Sequence, residues 1–162
     1  MAKKDFQFSF EVYSSDKELN QQDRELLKKA REVTDHAYAP YSKFLVGAVA
    51  KLSNGEIVAG TNQENASYPA GICAERSLLT TIGTLYPNMP IDTIAVSYDN
   101  KNGDSDKPIS PCGICRQSLV EYENRVNQPI RLILSGMKGE VFVIEKATQL
   151  MPLSFSEDDL KR

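Results

Sequence analysis

The sequence predicts a layered α/β domain, and three observations carry that expectation. Stretches at helical spacing alternate with short β-branched stretches in the order helix, hairpin, helix, strand, helix, strand, strand. An Asn-Gly pair separates two apolar runs, the mark of a hairpin. At 162 residues the chain can bury one substantial core, and it shows no repeat or internal boundary that would divide it. Such an order is satisfied by covering one sheet with helices.

Taken in order, residues 1–21 read as an N-terminal extension. FQFSFEVY alternates polar and apolar groups and could form an edge strand, but no function attaches to it. From Gln22 to Ala39, Leu26, Leu27, Ala30, Val33, Ala37 and Tyr38 recur at helical spacing until Pro40 stops the run. FLVGAVAKL and EIVAGTN then flank Ser53-Asn54-Gly55, whose Asn-Gly pair is expected to supply the positive φ angles of a tight turn. CAERSLLTTIGTLY fits a helix, and IDTIAVSY has the β-branched content of a buried strand. After a long polar loop, Pro111 precedes CGICRQSLVEYE, a helix with Cys112 expected in its first turn. IRLILS and EVFVIE read as the last two strands.

Composition narrows the function. With 41% hydrophobic and 25% charged residues the chain resembles an ordinary globular domain, and a net charge of −3 offers no general attraction to nucleic acid or anionic lipid. The start, MAKKDFQFSFEVYSSDKELN, has no continuous apolar stretch or small-residue cleavage site, and no later run approaches membrane-spanning length. A cytoplasmic protein without membrane or nucleic-acid partners is expected. Three cysteines, an odd number, argue against a disulfide framework and for metal or redox chemistry.

Cys112 and Cys115 lie three positions apart at a helix start, where both sulfurs can face one point and the helix N-terminus favours thiolates. Cys73, at the beginning of the preceding predicted helix, would supply a third ligand and tie two helix N-termini together. Three ligands leave a tetrahedral zinc with one open position, as catalytic sites do; a structural site would need a fourth, and His36 is the remaining soft candidate. His36 has no ligand spacing around it, and a lone histidine there fits a helix-end or packing role. CGIC could also be a redox dithiol, a reading weakened by Cys73 and by Glu75, whose carboxylate could reach the open position.

CAER and PCGICRQ, together with PYSKFLVGA, NQENASYPAGICAER and the late MPLSFSEDDL, resemble the zinc deaminases of the cytidine deaminase family in its homotetrameric, three-cysteine type. The resemblance runs from about Gln22 to the C-terminus, making 22–162 the deaminase domain. It implies a three-layer α/β/α sandwich around a mixed five-stranded sheet, and a homotetramer with active sites at subunit boundaries. It also implies Zn²⁺ on Cys73, Cys112 and Cys115, with Glu75 moving protons as cytidine or deoxycytidine is hydrolysed to uridine or deoxyuridine plus ammonia, a pyrimidine-salvage reaction. Arg76 is then expected to draw charge from the sulfurs from just outside the ligand set, although by spacing alone it is as well read as an exposed helix cation.

In the same resemblance Asn62 and Glu64 bind the ribose hydroxyls. By strand parity both project to one side, with Gln63 opposite. Phe44 stands against the pyrimidine, Ala66 and Tyr68 lie in the pocket-forming loop, and Phe155 is the aromatic supplied by a neighbouring subunit. Three other functions remain: deamination of another small aminopyrimidine, including a cytosine-bearing antibiotic; a non-catalytic zinc module closed by His36; and a nucleic-acid editor, which the acidic balance disfavours.

Overall fold

A computed structural model describes residues 1–161. Its strands are β1 (Glu11–Tyr13), β2 (Phe44–Leu52), β3 (Ile57–Thr61), β4 (Ile91–Asn100), β5 (Arg131–Ser135) and β6 (Val141–Ile144), and its main helices are α1 (Gln21–Glu32), α2 (Ala74–Leu85) and α3 (Gly113–Val126). They form one mixed sheet in the order β1-β6-β5-β4-β2-β3. β4 and β5 are parallel and the other neighbours antiparallel. The sheet has six strands where five are expected, because Glu11–Tyr13 pairs with Val141–Val143 along the β6 edge. Only the end of FQFSFEVY pairs; Phe6, Phe8 and Phe10 precede the strand and are substantially exposed.

Strand alternation divides the interior into two cores. Ala48, Ala50 and Leu52 of β2 join Ile94 and Val96 of β4 beneath α2 and α3. The intervening Val49 and Ala95 join Ile133 and Val143 beneath Leu26, Leu27 and Ala30 of α1. Apolar side chains on both faces of β2 and β4 thus place them between two helical layers. Gly60 brings β3 directly onto α2, since a Cβ there would lie 2.4 Å from the Leu78 backbone nitrogen. Among the described residues no helix is long and apolar enough to cross a membrane.

The first helix is shorter than its apolar spacing suggests. It starts at Asn20, whose side chain accepts a 2.9 Å hydrogen bond from the Asp23 N–H, and passes at Val33–His36 into a 3₁₀ turn. The Tyr38 N–H donates to the Asn62 carbonyl at 3.0 Å and the Glu64 N–H to the Tyr38 carbonyl at 2.7 Å. This pairing with a distant segment takes Tyr38 out of the helix. The β2–β3 turn also departs from the two-residue expectation: Gly55 alone has positive φ, at +90°, and Leu52 and Glu56 close the loop. One left-handed residue completes this three-residue turn, so Asn54 needs no positive φ.

Candidate functional site

Two helices start at the same place. Cys73 caps α2 and Cys112 caps α3, one position before the first turn where Cys112 was expected, while Cys115 lies one turn into α3 and is buried. The Cys73 and Cys112 sulfurs are 3.8 Å apart and those of Cys112 and Cys115 3.5 Å apart, with all three within 4.8 Å of one another. Thiolates bound tetrahedrally to zinc at about 2.3 Å stand about 3.8 Å apart, so this donor set fits the metal. The separations are far beyond a disulfide bond. Among the described residues His36 is not part of the cluster: it ends the 3₁₀ turn, and its carbonyl accepts the Thr61 hydroxyl.

Without a metal the thiols share protons unequally. A hydrogen bond from the Cys115 thiol, opposed by burial, brings Cys73 down to about 6, with a smaller contribution from the Arg76 charge. The same bond to Cys73, then burial, then the Glu75 carboxylate push Cys115 upward. Glu75 is the second residue of α2 and only 6% exposed, and burial raises its carboxyl above the usual range. Among the described residues it has no ion-pair partner.

The thiols and Glu75 border a cavity of about 330 Å³, within the range of small-ligand sites, whose other walls include Val46, Asn62, Glu64, Tyr68, Ile109 and Ser110. An outer recess of about 410 Å³ is bordered by Tyr41, Ser42 and Asn65 and shares Glu64, Tyr68 and Gly71 with it. Asn62 and Glu64 therefore meet at the cavity, but Gln63 borders it too and is not excluded to an opposite side. Its backbone pairs with Ile72 and its amide donates to the Thr61 hydroxyl. The Asn62 amide is already engaged: its oxygen accepts the Val46 N–H at 2.7 Å and its nitrogen donates to the Phe44 carbonyl at 2.9 Å. The Glu64 carboxylate accepts the N–H groups of Tyr41 and Ser42, at 2.9 and 3.3 Å. Hydrogen bonds from the Ser42 side chain and these amides hold its carboxyl below the usual range, against some desolvation.

The remaining candidates stand farther out. Phe44 is not among the bordering residues; its ring stacks on Tyr98 at 4.8 Å between centroids and 16° between planes. Ala66 is exposed and outside the cavity, whereas Tyr68, 76% exposed, borders both recesses and meets Tyr41 edge-on. Arg76 is half-buried beside the cluster. Phe155 is 56% exposed and outside this chain's cavity. Sequence reasoning missed the walls Val46, Ile72, Ile109 and Ser110. It also missed two anchors after CGIC: Arg116 donates to the carbonyls of Pro111 and Leu150, and Gln117 to that of Phe155. Their only signal was adjacency to the second and third thiols.

Residues 20–128 match the family model described as the cytidine and deoxycytidylate deaminase zinc-binding region. The chain is 33% identical over 135 residues to a cytidine deaminase of Halalkalibacterium halodurans, covering 83% of this chain and 95% of that relative. It is 32% identical over 136 residues to one from Mycobacterium tuberculosis, covering 82% and 89%. The crystal structure of a cytidine deaminase from Burkholderia pseudomallei superposes with a TM-score of 0.71 at 34% identity, covering 85% of this chain and all of that one.

Proposed function

The chain belongs to the zinc-binding cytidine and deoxycytidylate deaminase family, and on that premise we propose that its cavity hydrolyses cytidine and deoxycytidine to uridine and deoxyuridine. The carrying observation is the meeting of three thiols at zinc-ligand separations with a buried carboxylate that has no ion-pair partner among the described residues, on one cavity wall. Cys73, Cys112 and Cys115 hold the zinc, which supplies Lewis acidity and brings the pKa of a water toward about 7. Glu75 accepts a proton from the attacking water and returns it to ring N3, so that oxygen adds at C4 without charge building up on the base. A second transfer through Glu75 protonates the exocyclic nitrogen. The C4–N bond breaks, ammonia leaves and C4 becomes a carbonyl. The raised affinity of Glu75 for a proton suits a group that must take one up and give it back.

Arg76 and the two helix N-termini withdraw charge from the sulfurs, which offsets the excess negative charge of three thiolates. Asn62 and Glu64 receive the sugar, with Glu64 already oriented by two backbone N–H groups and Asn62 retaining one N–H and one lone pair beyond its bonds to β2. Ala66 and Tyr68 lie in the loop that closes the pocket, and Phe44 faces the base. Among the described residues neither recess is bordered by a lysine or arginine, which favours an uncharged nucleoside over its 5′-phosphate. Phe155, exposed on its own chain, reaches a neighbouring subunit's pocket in a cytoplasmic homotetramer. Residues 22–162 constitute the deaminase domain, and residues 1–21 are an extension that adds the sixth strand.

Ultraviolet-monitored turnover of cytidine, deoxycytidine and deoxycytidine 5′-monophosphate tests this reading. The nucleosides should react and the nucleotide should not; chelation should abolish turnover and zinc restore it. Zinc-loaded protein inactive on both nucleosides would overturn it in favour of another aminopyrimidine or a non-catalytic metal site.

A further inference from the structure

Phe44 itself borders neither recess, but it lies between two residues that do. Two residues before it, Ser42 borders the outer recess; two residues after it on β2, on the same sheet face, Val46 borders the inner one. Its main chain is held on both sides: the N–H donates to the Ser42 hydroxyl at 3.1 Å, and the carbonyl accepts from the Asn62 amide at 2.9 Å. Asn62 also holds the Val46 N–H, so this part of β2 has little backbone freedom. What remains is rotation of the Phe44 ring. Tyr98 restricts that rotation. It pairs with Val46 across β2 and β4, placing its side chain diagonally beside Phe44, and is itself only 6% exposed. The rings lie 4.8 Å apart and nearly parallel, at 16°, so Tyr98 covers one face of Phe44.

From this geometry we infer that Tyr98 is a positioning residue: through the stack it holds the Phe44 ring as the apolar wall against which a planar base settles. This deepens the deaminase reading and rests on it for the identity of the base. Removing the Tyr98 ring opens a space into which Phe44 rotates, loosening substrate binding while Glu75 and the three thiols remain in place.

The test compares Tyr98→Ala, Tyr98→Leu and Tyr98→Phe with the wild type, each checked for zinc content and melting temperature. Turnover gives KM and kcat for cytidine, and calorimetry gives Kd for uridine without requiring turnover. Leucine preserves much of the buried volume without an aromatic face, whereas phenylalanine preserves the stack. The Ala and Leu variants should raise KM and Kd about three- to tenfold, the scale of one aromatic stack, with kcat held within about twofold. Tyr98→Phe should restore wild-type values. If the alanine variant does not fold, the leucine variant decides. Wild-type KM and Kd in folded Tyr98→Leu, or a phenylalanine variant as impaired as the leucine one, would overturn the inference. A wild type that binds uridine but turns over no cytidine would sink the deaminase reading, while the Kd series still decided the role of Tyr98. Failure of the wild type to bind uridine would overturn both.

Discussion

Two buried carboxylates, at opposite ends of the α2–α3 layer, have opposite surroundings. Glu123, late in α3 and 5% exposed, accepts the N–H groups of Ile130, Ala147 and Thr148 at 2.6, 2.9 and 3.1 Å. Three main-chain donors occupy it, and it ties the approach to β5 and the turn after β6 to α3. Glu75, early in α2 and 6% exposed, borders the cavity together with the three thiols. Burial of a carboxylate is costly in both places; at Glu123 three main-chain amides compensate it, whereas at Glu75 its own N–H and the Cys115 thiol offset burial only in part and the carboxyl stays raised. Burial alone therefore does not distinguish a tie from a reactive group. The use of the carboxylate oxygens does.

The largest expected effect tests the Glu75 side of that contrast. Glu75→Gln keeps size and burial but cannot shuttle a proton, and kcat should fall about 10²- to 10⁴-fold with zinc content and melting temperature nearly unchanged. A variant retaining more than a tenth of wild-type kcat would place the proton transfer elsewhere. Glu123→Gln should do the reverse. With an amide NH₂ turned toward backbone donors, it should lose about 2–3 kcal/mol of stability in denaturant unfolding while the folded fraction keeps its kcat. A large loss of kcat without loss of stability would contradict its role as a tie. The smallest effect is expected beneath α1. There Asp23 accepts from Arg131 at 2.9 Å and also holds Asn20. Asp23→Asn keeps an acceptor for Arg131 but removes the charge of a mostly buried pair, and should cost about 1–2 kcal/mol while leaving kcat and zinc content alone, because α1 covers the opposite face of the sheet from α2 and α3.

The metal set was legible because it is written in local spacing. CGIC places two thiols one turn apart at a helix start, and CAER places a thiol and a carboxylate at another. The meeting of those two starts was not local information. It follows from Gly60 seating α2 on β3, from the parallel β4–β5 pairing that sets the α3 crossover, and from Arg116 holding Pro111 and Leu150 together. Helix α1 was overextended because its apolar period continues through Tyr38, and periodicity carries no record of the competing pairing of Tyr38 with Gln63. For Asn62 the resemblance implies a contact with ribose, but its engagement with the β2 backbone depends on two partners, Val46 and Phe44, 16 and 18 positions away.

By itself the sequence determined the element order, the alternation that gives β2 and β4 two buried faces, the ligand types, and the carboxylate beside them. Those properties depend on residue identity and on periods of two or 3.6 residues. Only the tertiary structure decided that the sheet gains a sixth strand, that His36 stays away from the thiols, that Phe44 leans on Tyr98, and that Glu123 is tied to three main-chain amides of other elements while Glu75 borders the cavity. The physical reason is that a hydrogen bond or ring contact requires both partners at one point in space. For these groups the partners come from separate elements, and packing rather than local spacing brings them together.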